Sequence, residues 1–570
     1  MFPRLPRALL PLLAATTLHP AAQAGELGVT SGELLQQTPA LNRAPASEPG
    51  FDARKPPPPA AASDGASAEG ELSFTVVDFR FDGELSAAER DRIEPLLAPL
   101  RAHPTTLRQL QALRSQLTEA LYHDGETLVS VLLPVQTVPD GIVRFTILRG
   151  HIEHVHVNNG SQVDTARIES LLRGRHGDAP DLRDIDEGVR VLAQVPGVGD
   201  VTPVLAPGSG PGGTEVVVNV PPGRSGYFAV SADNAGAPEA GAYRVGLLGG
   251  VNNLVGRGDR LEATVYATTP YPFQTDAGRG GRTLLGRVSW DALTGIGASR
   301  AGVAASRVDY RLGGDFQGLG SGTAQVASLY ASTPLLCSRE TSLDLSGEFD
   351  YKSLDDERFG ELLESRRHSV VAAARIDGSR THELDGRRGA VRYGLGLSYG
   401  TTQRTDIDRT AAGDGVAGLG SRPFVKIEPS VSVTQNVLPG LALSAQLRGQ
   451  WANRSVDGSE RMSLGGPAGV RAYGLSEASV DEGVIVTLSA LQTLVNQPNV
   501  AVAAFYDGAR GRVRGDGSLP GASTTLQGAG VALNVGWKQA QMQLSYAHSI
   551  GRTDMGTHSQ QVWVTLSKLF

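Results

Sequence analysis

The stretch Ser463–Gly483, SLGGPAGVRAYGLSEASVDEG, holds a single arginine, Arg471, between Val470 and Ala472-Tyr473, in a run of five glycines that includes Gly465 and Gly466. The chemistry open to that arginine is ion pairing, since a guanidinium presents a planar fork of donors that a carboxylate matches at two points. A carboxylate on a patterned segment lies nearby in sequence. In AVAAFYDGA, alternation puts Phe505 and Asp507 on one face and Val502, Ala504 and Tyr506 on the other. No nucleophile, base and orienting group form a recognisable set, so no catalytic residue is assigned and no enzyme is expected. His151-Ile152-Glu153-His154-Val155-His156 invites a metal reading. On a strand, however, His154 and His156 share one face and His151 and Glu153 the other, so the four cannot converge, and no metal or cofactor is expected. The glycine runs at 318–322 and 418–420 neither follow a buried strand nor open a helix, and they read as turns or loops. Cys337 is the only cysteine, which excludes an intramolecular disulfide and makes it a wall residue.

The segments around the glycine-rich stretch are strands. Residues 441–451, LALSAQLRGQW, and 484–490, VIVTLSA, alternate apolar with small or polar side chains. The same alternation runs through everything after Pro221-Pro222-Gly223. Val391, Tyr393, Leu395, Leu397 and Tyr399 face one way, with Arg392, Gly394, Gly396 and Ser398 opposite. Leu343, Leu345, Phe349 and Tyr351 oppose Asp344, Glu348 and Asp350. Many such segments, no helical period and a terminal QVWVTLSKLF predict an all-β transmembrane barrel over 223–570 of about 16 antiparallel strands. An ionised Asp507 cannot face lipid, so Phe505 and Asp507 face the lumen.

The first 24 residues combine a basic start, a short apolar run and Ala22-Gln23-Ala24, the pattern of a secretory signal peptide. Residues 25–70 hold a short helix in SGELLQQT and then a Pro-rich linker with Lys55-Pro56-Pro57-Pro58-Pro59. From 71 to 150 and from 151 to 222 the order strand, helix, helix, strand, strand occurs twice, which predicts two tandem α+β modules. A formal net charge of -7 argues against a nucleic-acid partner.

The order and spacing of LYHDGETLVSVLLPVQ, GIVRFTILRG, DLRDIDEGVRVLAQVPGV, SADNAGAPEAGAYRVG, NNLVGRGDRL, the 463–483 stretch and AAFYDGA give the chain its resemblance to a family. They resemble the outer-membrane transporters of two-partner secretion, the haemolysin and filamentous-haemagglutinin secretion family of ShlB/FhaC/HecB type. The resemblance implies two periplasmic POTRA modules and a 16-stranded outer-membrane barrel of a Gram-negative bacterium. It implies ATP-independent export of one large unfolded exoprotein: an adhesin, a cytolysin or another β-helical protein. Outer-membrane lipid would be the other partner. The family's loop motif falls on Val470-Arg471-Ala472-Tyr473, with alanine where glycine is commoner, and its wall partner on Phe505-Tyr506-Asp507. Leu133, Pro134 and Gln136 in the first module and Leu182, Arg183 and Asp184 in the second are the expected contacts of the exported protein. The short N-terminal helix is the expected occupant of the resting pore. A barrel-assembly or insertion factor shares the modules and the loop motif and is the alternative.

Overall fold

The computed structural model describes residues 29–36, 73–122, 129–173, 182–210, 212–269, 280–359, 362–408, 415–475, 477–515, 521–551 and 559–570. The expected signal peptide and Pro-rich linker lie outside them. The first described element is a short helix, α1 (Ser31–Gln36).

The first module begins with β1 (Ser73–Val76) and β2 (Asp78–Asp82), followed by α2 (Ala87–Leu97), β3 (His103–Thr106), α3 (Leu107–Tyr122), β4 (Val129–Leu132) and β5 (Ile142–Arg149). The sequence suggests one strand over FTVVDFRF; the structure has two, broken at Val77. β1 leaves the main sheet to pair with β3, while β2 pairs parallel to β5 in the order β2-β5-β4. Helix α2 starts at a capping box, in which the Ser86 hydroxyl accepts from Glu89 N and the Glu89 carboxylate accepts from Ser86 N. Burial pushes the Glu89 carboxyl up, but the Ser86 donors and the Arg149 guanidinium outweigh it and hold the group below the usual carboxylate range.

The second module repeats the order with β6 (His151–Asn159), α4 (Thr165–Leu172), α5 (Leu182–Leu192), β7 (Thr202–Pro207) and β8 (Gly213–Val220), its sheet running β6-β8-β7. A register shift between Ile152 and His154 interrupts the alternation expected across the histidines. The Glu153 carboxylate is taken up by Ser209 N at 2.9 Å, Ser209 Oγ at 2.8 Å and Gly210 N at 3.3 Å, which ties the β7–β8 turn to β6.

The barrel strands are β9 (Gly226–Asp233), β10 (Tyr243–Asn252), β11 (Arg260–Thr269), β12 (Arg282–Leu293), β13 (Arg300–Arg311), β14 (Gly320–Cys337), β15 (Thr341–Arg358), β16 (Leu363–Leu384), β17 (Arg387–Asp408), β18 (Gly415–Leu438) and β19 (Leu441–Ala452). Two short strands, β20 (Met462–Ser463) and β21 (Ser479–Val480), pair only with each other. The wall resumes with β22 (Glu482–Asn496), β23 (Asn499–Val513), β24 (Ala522–Trp537), β25 (Ala540–Ser549) and β26 (Gln560–Leu569), and β26 closes on β9. Sixteen antiparallel strands thus form one closed barrel, which leaves no unpaired edge in lipid. Tyr393, Leu395, Leu397 and Tyr399 point outward and exposed, while Ser398 is buried on the inner side.

The glycine runs depart in part from the reading as turns or loops: Gly318 lies in the β13–β14 turn with φ +74°. Gly320 and Gly322 open β14, and 418–420 lie within β18. At Gly322 a Cβ would stand 2.5 Å from Asp356 Oδ1 and 2.7 Å from the Tyr310 ring, so the space a side chain needs is filled by the Tyr310–Asp356 hydrogen bond. Cys337 ends β14 at the rim, buried beside Val191 of the second module and Ala298 of the β12–β13 turn.

Candidate functional site

The connection between β19 and β22, residues 453–481, joins two outer strand ends but folds back into the lumen; it is longer than the 463–483 stretch read from the sequence. Its turn depends on glycine where the backbone demands it. Gly466 has φ +90°, and a Cβ on Gly465 would lie 2.1 Å from the Gly474 carbonyl oxygen. Gly466 N donates to Tyr473 O at 2.9 Å and Val470 N to Leu464 O at 2.8 Å, which closes the tip into a compact knot. Val470, Ala472 and Tyr473 are buried in it with Leu464, and the knot packs on Phe505, Ala509 and Leu526 of the wall.

Arg471 and Asp507 meet. Arg471 Nε and Nη2 donate to the two carboxylate oxygens at 2.7 Å each, and the Arg471 backbone N–H adds a third bond at 3.2 Å. Thr487 Oγ1 donates to Asp507 Oδ1 at 3.0 Å, and Trp563 Nε1 donates to Arg471 O at 2.7 Å. The guanidinium carbon lies 3.2 Å from the centre of the Phe505 ring. Asp507 is 1% exposed, so its charge is compensated by fixed donors and not by water. Thr487 and Trp563 were not singled out from sequence, nor was Gly528, where a Cβ would lie 2.7 Å from the Ala472 methyl. The opposing wall makes room for alanine in the loop motif by having no side chain there.

The lumen has a second occupant. Helix α1 is capped by Thr30 and Glu33, with Thr30 N donating to Glu33 Oε2 at 3.1 Å and Glu33 N to Thr30 Oγ1 at 3.3 Å. Val29, Leu34 and Leu35 pack on the inward side chains Leu285, Val308, Leu312, Val326 and Leu354. Ser31 N and Oγ donate to the two oxygens of Asp356 at 2.9 and 3.1 Å. Asp356 also pairs with Arg367, which donates to Asp457 of the loop at 2.8 Å. Three residues on, Glu460 accepts from Lys352 at 2.6 Å and Lys426 at 2.9 Å. A chain of buried charges therefore links α1, the wall and the base of the loop. One signal for this patch was present in the sequence: Val308, Val326 and Leu354 are apolar on faces that elsewhere in the barrel carry charges.

The expected module residues do not gather into one surface. Leu133 packs on the core of the first module and Leu182 on that of the second. Gln136 is held against β5, its side chain accepting from Arg144 N and donating to Arg144 O at 2.8 Å each. Pro134 remains exposed, Asp184 is buried and Arg183 is exposed on α5.

Residues 212–535 match the family described as haemolysin secretion/activation protein ShlB/FhaC/HecB, and residues 74–150 match the ShlB-type POTRA domain. Among characterised relatives, the heme/hemopexin transporter protein HuxB of Haemophilus influenzae is 22% identical over 84% of both chains. The outer membrane transporter CdiB of Dickeya dadantii is 23% identical over 70% of this chain and 69% of its own. Among solved structures, CdiB from Escherichia coli superposes with a TM-score of 0.62 at 20% identity, over 90% of this chain and 93% of that one. BamA from Haemophilus ducreyi, lacking its POTRA domains 1–3, gives 0.51 at 13% identity over 87% of this chain and all of that one, a likeness of fold alone. The family match covers more than half of the sequence and the modules precede a closed 16-stranded barrel, so the chain belongs to the haemolysin secretion/activation family ShlB/FhaC/HecB, the outer-membrane transporters of two-partner secretion.

Proposed function

We propose that this transporter exports one large exoprotein, an adhesin, a cytolysin or another β-helical protein, as an unfolded chain through the barrel lumen. One observation carries the reading: the lumen is filled by separate inserts, α1 and the 453–481 loop, held to an inward face rich in charge. An insert of six helical residues can leave without opening the strand ladder, and a charged lining keeps the vacated passage wet and weakly binding. The modules capture the exoprotein by adding it to a sheet edge, through main-chain hydrogen bonds that tolerate many sequences. The strand β7 lies at the sheet edge, and its exposed apolar residues Val204 and Leu205, one on each face, are free to pack against such a strand. Folding outside the cell makes the transfer irreversible, so no nucleotide is needed. Arg471 and Asp507 hold the loop in the geometry the passage requires; of the expected module residues, the exposed Pro134 and Arg183 belong to the periplasmic contact.

The test is deletion of residues 73–220. The barrel closes through its own strands, so the truncated protein should insert in the outer membrane with heat-modifiable gel mobility and secrete none of its exoprotein. Wild-type secretion by the truncated form would overturn the reading.

A further inference from the structure

The inward faces of the strands carry most of the charge, but near their outer ends several charges point the other way. On the side of the barrel where the 453–481 loop returns to the wall, Arg510 and Arg512 of β23 lie on the face opposite Asp507, toward the membrane, and Arg514 follows them. Outward-facing Val484 pairs with Arg510, and Glu482 with Arg512. On the next strand Thr525 and Ser523 stand opposite the same two arginines. Below this row the outward face is apolar, with Leu488, Val531 and Tyr546 exposed. The patch is therefore the first polar layer above the hydrocarbon. Trp451 marks the same level independently: it is exposed on the outer face of β19, 5.8 Å from the Arg514 guanidinium, and tryptophan concentrates at the headgroup region.

Among the described residues, charge in this layer is unbalanced. Arg512 and Arg514 both pair with Glu482, and Arg510 pairs with no carboxylate. Elsewhere on the exterior, Arg307 is neutralised by Asp309 at 2.7 and 2.8 Å. Guanidinium groups favour phosphate, which they grip at two points, and the Thr525 and Ser523 hydroxyls add donors beside them. The phosphates available at this depth belong to the outer-leaflet glycolipid. We infer that Arg510, Arg512 and Arg514 form a binding site for the phosphate groups of lipopolysaccharide on the outer face of β22–β24. Such a lipid braces the pore loop from outside. Arg514 N donates to Asp481 Oδ2 at 2.7 Å, and Asp481, fully buried, accepts from Val456 N and Arg461 Nε at the loop base.

The experiment uses the full chain in detergent micelles doped with bisphosphorylated lipid A, reading bound lipid by native mass spectrometry and the temperature at which the heat-modifiable gel shift occurs. Wild type should retain lipid A and unfold several degrees higher with it. The same lipid stripped of phosphate, or millimolar inorganic phosphate alone, should do neither. Arg510→Gln with Arg512→Gln should need roughly tenfold more lipid A for the same occupancy, the loss expected from charge-assisted hydrogen bonds. Arg307→Gln should bind as wild type. Unheated gel mobility checks that each variant is folded, and Arg510→Gln alone, expected to show an intermediate loss, replaces the double variant if that fails to fold. Equal binding by the folded variants and wild type overturns the proposal; so does an equal shift with dephosphorylated lipid, which would assign the effect to acyl chains, or with inorganic phosphate, which would make the site one for a free ion.

Discussion

At the residue scale the pore loop depends on one pair. Replacing either Arg471 or Asp507 by alanine strands the other charge in a site closed to water, and breaking a buried pair costs about 3–5 kcal/mol. The strand ladder does not depend on that pair, so Arg471→Ala and Asp507→Ala should each insert normally and lose most export. Arg471→Lys should be partly tolerated, since an ammonium cannot reproduce the two 2.7 Å bonds at once. In a double-mutant cycle on secretion, the double alanine variant should be no worse than either single one; additive losses would show that the two residues act separately. AVAAFYDGA and the motif around Arg471 made both partners legible from sequence. Thr487, Trp563 and Gly528 were not, because a threonine, a tryptophan and a glycine on a strand have no pattern until the loop lies against them.

At the element scale, α1 is too short to be stable alone, and what holds it is the apolar patch around Val308 and Leu354 together with Asp356. Removing residues 25–55 should therefore raise single-channel conductance in planar bilayers while the barrel stays folded. Asp356→Ala should raise it partly, because Ser31 loses its acceptor and Arg367 one of its carboxylates. Unchanged conductance in both would place the helix outside the conducting path. The sequence showed SGELLQ as a helix from its composition and spacing, but not what it would pack on. The contacts join residues more than 300 positions apart, as Ser31 and Asp356 illustrate.

For the whole molecule, the second module is seated on the barrel rim. Leu293 completes that module's hydrophobic core, Arg167 Nη1 donates to Leu293 O at 2.9 Å, and Asp164 N donates to Gly256 O at 2.9 Å. Cys337 lies in this joint near Gln194, whose Nε2 is 3.8 Å from Sγ. As the only thiol, it reports on the joint without engineering. A water-soluble maleimide should label it slowly in the folded full chain and roughly tenfold faster once residues 73–220 are removed, since thiol reactivity follows exposure. Equal rates would show that the module does not cover the rim.

What the sequence by itself determined is whatever repeats locally. The period-2 alternation after Gly223 set the barrel, because a strand between lipid and a wet lumen must sort its side chains residue by residue. The strand–helix–helix–strand–strand order, written twice, set the modules. Alternation also breaks locally, and there sequence misled: Val77 splits one expected strand, a bulge shifts the register at Glu153, and glycines expected in turns sit in β14 and β18 where a neighbour's side chain or the strand's own length takes precedence. Tertiary structure alone decided what fills the barrel. The bonds from Asp356 to Ser31, from Asp457 to Arg367 and from Glu460 to Lys352 and Lys426 join the inserts to wall residues far away in the chain. Before the inserts lie in the lumen those groups have no common neighbour, and a lone charge on a strand reads only as a face turned toward water.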